Sequence, residues 1–206
     1  TCLGCIIRKP LSTGPMDSFG DHIWSCSSTK QVRSRVHNNV RDLLLHYFQE
    51  AGFEVEKEVS LPMLGDRGNR GADIYVKNWF EDRHLAIDLT LRNPTTPGYL
   101  AESSRRRLAA AYKGERDKTT YYGRTLDPSH FRVFKFQALG FDTFGGYTKT
   151  VSTILTHLSN ILRERSRLDV SDSPGLSVRQ AISLCIHKAV AESLNWQMIE
   201  TQFLET

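Results

Sequence analysis

The chain has no apolar run approaching the roughly 20 residues that cross a bilayer, and its start lacks the apolar core that a secretory signal carries. Those two absences predict a soluble intracellular protein with no membrane partner. There is no internal repeat and no low-complexity segment longer than a loop, which excludes a solenoid or a fibrous array. Charge of one sign is scarce as well: 27 Lys and Arg face 23 Asp and Glu, for a net +4. The glycine-rich stretch at 64–70 lacks the Lys-Ser/Thr ending of a nucleotide phosphate loop, so it reads as a polar turn. What remains is a 206-residue chain with 39% hydrophobic residues, enough for one core with an appendage.

Cysteine is also sparse, but it is not scattered. Three of the four cysteines lie in the first 26 residues as Cys2-x2-Cys5, followed after sixteen residues by His22-x3-Cys26. Thiolate and imidazole in close pairs form a zinc-selective donor set. Pro10, Gly14, Pro15 and Gly20 argue for an irregular loop between the pairs, which a metal can staple where no core forms. Free thiols or a disulfide in a leader segment is the competing reading. Cys185 sits in an apolar run far along the chain and reads as a core residue.

Downstream, Val32, Val36, Val40, Leu43, Leu44, Tyr47, Phe48 and Ala51 recur at helical spacing and Gly52 provides a stop, predicting a helix over 30–51. Its other faces carry Arg33, Arg35, His37, Asn38, Arg41 and Asp42; Arg35 and His37 do not share a face. Alternation predicts strands over 53–61, 71–76, 85–91 and 131–136, and helices over 101–122, 151–165 and 177–197. The short link at 78–83 implies antiparallel pairing of the second and third strands. A mixed-sheet α/β fold flanked by helices follows.

Two carboxylates interrupt this pattern. Asp73 lies opposite Ala72, Ile74 and Val76, and Asp88 lies opposite Leu85, Ile87, Leu89 and Leu91. Carboxylates among residues this apolar are costly unless a cation or donors compensate them, and hard cations such as Mg2+ or Mn2+ take oxygen ligands. A cation there would suit phosphodiester hydrolysis; exposed positions on half-buried strands are the bland alternative. Arg105, Arg106, Arg107, Lys113, Arg116 and Lys118 form a basic stretch that suits a phosphate backbone or, equally, a solvated helix face.

Taken in order, Cys2/Cys5/His22/Cys26, Arg35-Val-His-Asn38, Ala72-Asp73, Ile87-Asp-Leu-Thr90, Lys118-Thr-Thr-Tyr121 and Phe141-Asp-Thr-Phe-Gly-Gly146 resemble the restriction-like endonuclease region at the carboxyl end of site-specific non-LTR retrotransposon proteins. That region is a branch of the PD-(D/E)XK nucleases. The resemblance implies a zinc knuckle at 1–29 and a restriction-endonuclease-like domain at 30–206 with C-terminal helices. It further implies a Mg2+- or Mn2+-dependent enzyme that nicks target DNA, with RNA and other regions of a reverse-transcriptase polyprotein as further partners. Asp73 and Asp88 match the family's acidic residues, with Ala72 in place of its Pro. Thr90 stands where other members carry the catalytic Lys, and Lys118 matches a substitute, with Lys113 a second stand-in. The Leu89 carbonyl is a further metal ligand, while Arg35, His37, Arg105, Arg106 and Arg107 hold DNA. The alternative is a nucleic-acid- or protein-binding module that has lost catalysis.

The cysteine spacing predicts one zinc ion per chain, held by Cys2, Cys5, His22 and Cys26 at Zn–S distances near about 2.3 Å. Elemental analysis of protein purified without chelator is expected to return stoichiometric zinc, and its absence would rule out the site.

Overall fold

The computed structural model describes residues 30–59, 71–80, 83–126, 132–166 and 174–202. The predicted zinc ligands Cys2, Cys5, His22 and Cys26 lie outside the described residues. Helix α1 (Lys30–Glu50) leads into strands β1 (Val55–Val59), β2 (Ala72–Phe80) and β3 (Arg83–Arg92). Helices α2 (Pro97–Ser103) and α3 (Ala109–Thr125) precede β4 (Phe134–Asp142), and α4 (Lys149–Ser166) and α5 (Pro174–Gln202) follow it. Among the described residues no helix is long and apolar enough to cross a membrane.

The strands form one mixed sheet in the order β1-β2-β3-β4, with both β1/β2 and β2/β3 antiparallel and β3/β4 parallel. The β2–β3 hairpin needs only a short turn, whereas parallel pairing of β3 with β4 demands a crossover, which α2 and α3 supply. Strand β3 is central and covered on both faces, so every residue from Leu85 to Thr90 is buried. Ile74, Val76, Leu85, Ile87, Leu89, Leu139 and Phe141 form the sheet's contribution to the main core. Onto them pack the Val36, Val40, Leu44 and Phe48 stripe of α1 together with residues of α4 and α5. Cys185 is half-buried against this core.

The opposite face carries a smaller cluster of Ala72, Ala86, Tyr122, Leu126 and Phe134. Helix α3 approaches this face closely because it presents small residues to it. Ala109, Ala110 and Ala111 are buried. A methyl group at Gly114 would come within 2.9 Å of the Thr90 hydroxyl, and one at Gly140 within 2.5 Å of the Ala111 carbonyl oxygen. Side-chain bonds fix the approach. Glu115 on α3 accepts the Thr148 hydroxyl, and also the Thr150 hydroxyl at 2.8 Å.

Two elements depart most from the sequence expectation. The helix expected over 101–122 is two helices, because Leu108 adopts a left-handed conformation (φ 59°) that breaks the chain between them. Tertiary packing overrides propensity here, since the Leu108 side chain lies against Gly146. Arg105, Arg106 and Arg107 consequently sit exposed in the break, not on a helix face. The fourth strand runs to Asp142, beyond the expected 131–136. The Phe141-to-Gly146 motif is its end plus a turn in which buried Asp142 accepts the Phe144 and Gly146 amides at 3.0 and 2.8 Å, with Gly145 at φ 80°. That carboxylate is satisfied by backbone amides and is structural.

Gly140→Ala is expected to destabilise the fold by about 1–3 kcal/mol, because its methyl meets backbone. Gly123→Ala, exposed on α3 with open space around it, is expected to add about 0.5 kcal/mol. Urea midpoints distinguish the two, and equal effects would refute the close packing of α3 on β4.

Candidate active site

Asp73 and Asp88 reach one cleft from adjacent strands, and their surroundings follow from strand alternation. The register pairs Ile74 with Ile87, so the flanking Asp73 and Asp88 project together from the face opposite the main core. The cleft has a volume of about 620 Å³, and its lining includes His37, Arg41, Asp73, Asp88, Lys118 and Tyr122. Both carboxylates are withdrawn from water, with Asp88 only 3% exposed. The reading of exposed strand positions therefore fails for Asp88.

Each carboxylate has its own partners. Asp73 Oδ2 accepts the Leu89 amide at 2.6 Å and lies 3.2 Å from His37 Nε2. Asp88 Oδ2 is 2.7 Å from the Lys118 ammonium. Lys118 arrives because α3 lies close to β3 at Gly114, one helical turn earlier. One turn later, Tyr122 sends its hydroxyl to the Gly71 carbonyl at 3.3 Å.

The two acids are held at different protonation energies. Burial, reinforced by the neighbouring Asp73 charge, pushes Asp88 up to about 6 even with Lys118 beside it. Burial opposes ionisation of Asp73 too, but the His37 hydrogen bond and charge and the Leu89 amide keep it below the usual carboxylate range. His37 is raised: burial works against its charge, and the hydrogen bond and charge of Asp73, with the Asn38 bond and the Asp88 charge, together outweigh it. Tyr122 is pushed up by burial and by Asp88.

Of the residues singled out from the sequence, Asp73, Asp88, Lys118 and His37 come together. His37 is turned onto Asp73 and orients that carboxylate. The Leu89 amide bonds Asp73, and its carbonyl lies on the same strand edge, since a strand residue directs both groups to one side. Lys113 does not join the cleft; it pairs with Asp117 at 3.1 Å on α3. Arg35, Arg105, Arg106 and Arg107 are exposed and do not line the cleft. The sequence reading passed over Arg41 and Tyr122, although each follows a cleft residue by four positions, His37 and Lys118 respectively, and so shares its helix face.

Two carboxylates with a strand carbonyl form an all-oxygen donor set. They suit a hard cation that keeps several waters and is completed by substrate phosphates, as Mg2+ does. Among the described residues no group of three or more His, Cys, Asp and Glu side chains is arranged to enclose a metal. Asp73 and Asp88 therefore offer two carboxylate ligands, and any cation they held would take the rest of its shell from water, backbone or substrate oxygens. No protein-family model matches the chain, and no curated protein matches it in sequence.

An acid whose folded pKa exceeds its unfolded value makes the native state the better proton binder. Asp88's contribution to stability is therefore full below about pH 4 and is lost as pH rises through about 6. Relative to Asp88→Asn, the wild type is expected to lose on the order of 2 kcal/mol between pH 4 and pH 7. Urea midpoints at the two pH values measure this difference, and a constant offset would contradict the assigned environment.

Proposed function

We propose that the chain is a metal-dependent endonuclease that nicks DNA by phosphodiester hydrolysis, on a restriction-endonuclease-like fold. The observation that carries the reading is the pair of carboxylates on adjacent strands, Asp88 buried and Asp73 half-buried, with a lysine ammonium on one and a histidine on the other. The four-stranded mixed sheet flanked by helices supplies the scaffold that the reading requires.

Asp73 and Asp88 would hold Mg2+ or Mn2+, with the Leu89 carbonyl as a further oxygen. When bound, such an ion polarises the phosphate and lowers the pKa of the attacking water. His37 and the Leu89 amide keep Asp73 ionised and fixed in direction. Lys118, 2.7 Å from Asp88, would steady negative charge developing on the phosphate. Arg35, Arg105, Arg106 and Arg107, exposed and outside the cleft lining, would supply phosphate-backbone contacts beyond it. The zinc knuckle, and partners within a larger retrotransposon polyprotein, belong to this reading through the sequence resemblance.

A rival reading, a nucleic-acid- or protein-binding module without catalysis, draws on Ala72 in place of the family's Pro. Plasmid nicking separates the two. Wild type in Mg2+ is expected to nick, and Asp73→Ala and Asp88→Ala to reduce the rate by at least about 100-fold while leaving much DNA binding intact. Removing these exposed arginines is expected to weaken binding across sequences and to lower the salt slope by about one unit per contact. Asp88→Ala cutting as fast as wild type would refute the assignment; a wild type that binds and never cuts in Mg2+ or Mn2+ would favour the rival.

A further inference from the structure

Within the nuclease reading, on which this inference rests, one charged pair in the cleft has no assigned role. Arg41 on α1 and Glu58 on β1 both line the cleft beside Asp73, and Arg41 Nη1 donates to Glu58 Oε1. The partners are unequal: the Arg41 side chain is 4% exposed and that of Glu58 63%. Arg41 is also anchored elsewhere, its Nε donating to Asp42 Oδ1 at 2.9 Å, and Lys57 lies 3.4 Å from the same oxygen. If the pair opens, Glu58 is the partner able to leave.

Glu58 occupies an irregular place on its strand. The ladder pairs Lys57 with Ile74 and Val59 with Ala72 and skips Glu58 between them. Its backbone is left-handed (φ 53°), a conformation with a steric cost for any residue but glycine. The Arg41 guanidinium feels the charges of Asp42, Glu58 and Asp73. The cleft thus contains a desolvated cation already fitted with an oxyanion, and that oxyanion's other side faces water.

We propose that Arg41 is the seat for a backbone phosphate of bound nucleic acid, and that Glu58 is an internal anion filling the seat until phosphate displaces it. The guanidinium fork accepts phosphate and carboxylate oxygens with the same geometry, so the exchange swaps one oxyanion for another without burying a new charge. Glu58, already 63% exposed, returns to water. The exchange also sets a threshold: an anion that binds the fork no better than a carboxylate does not displace it.

The test is fluorescence anisotropy with a short labelled DNA duplex and no added divalent cation, comparing wild type, Glu58→Gln, Arg41→Lys and the double variant. Glu58→Gln is expected to bind about three- to tenfold tighter than wild type, and Arg41→Lys more weakly. In the Arg41→Lys background the Glu58→Gln gain is expected to shrink below about twofold, because the two residues act on one seat. Equal or weaker binding by Glu58→Gln, or an undiminished gain without Arg41, would overturn the proposal. Should Arg41→Lys fail to fold, inorganic phosphate serves as competitor: it is expected to displace duplex from Glu58→Gln at lower concentration than from wild type, and equal sensitivity would overturn the seat. Plasmid nicking by wild type in Mg2+ is scored separately. Nicking without a Glu58→Gln gain removes the seat and keeps hydrolysis; a gain without nicking keeps the seat and removes hydrolysis.

Discussion

Two carboxylates driven into one cleft repel each other, and much of the architecture around them serves to neutralise that repulsion. Asp73 and Asp88 come within hydrogen-bonding reach of one another at a place where burial disfavours the charged form of each. His37, Lys118 and Arg41 bring positive charge from three directions on two helices, and the Leu89 amide adds a fixed donor. The division is uneven. Asp73 takes the histidine and the amide and stays ionised, while Asp88 has the lysine and titrates near 6. On the proposed function such a pair would take up a divalent cation, which would relieve both charges at once.

That arrangement depends on how near a helix can come to a sheet. Lys118 meets Asp88 because Gly114 and the alanines at the start of α3 allow the helix to lie against β3 and β4, and because Gly140 offers no side chain to the Ala111 carbonyl. The Glu115 bonds to Thr148 and Thr150 then fix the helix lengthwise. The glycine that looks like a flaw inside a helix is where the helix crosses the strand.

Strand periodicity and the short β2–β3 link made the sheet's antiparallel part and the shared direction of Asp73 and Asp88 legible in the sequence, because both follow from local geometry. The break at Leu108 was not legible: a left-handed leucine is held by packing against Gly146, a contact between residues far apart in the chain. That miss moved Arg105, Arg106 and Arg107 from a helix face to an exposed turn. The full length of β4 was hidden for a similar reason, since Phe141 and Asp142 continue a parallel ladder with Leu91 and Arg92, residues far away in the chain. Arg41 and Tyr122 were within reach of the helical repeat, which places them below His37 and Lys118. The approach of Glu58 to Arg41 was not, because it depends on an unusual backbone conformation in β1.

The central claim is that Asp73 and Asp88 jointly receive a divalent cation. Anomalous diffraction from a crystal soaked in Mn2+ tests it most directly. The account predicts a peak between the two carboxylates, with the Lys118 ammonium withdrawn from Asp88. A cleft with no peak at saturating Mn2+, and Lys118 still on Asp88, would contradict it.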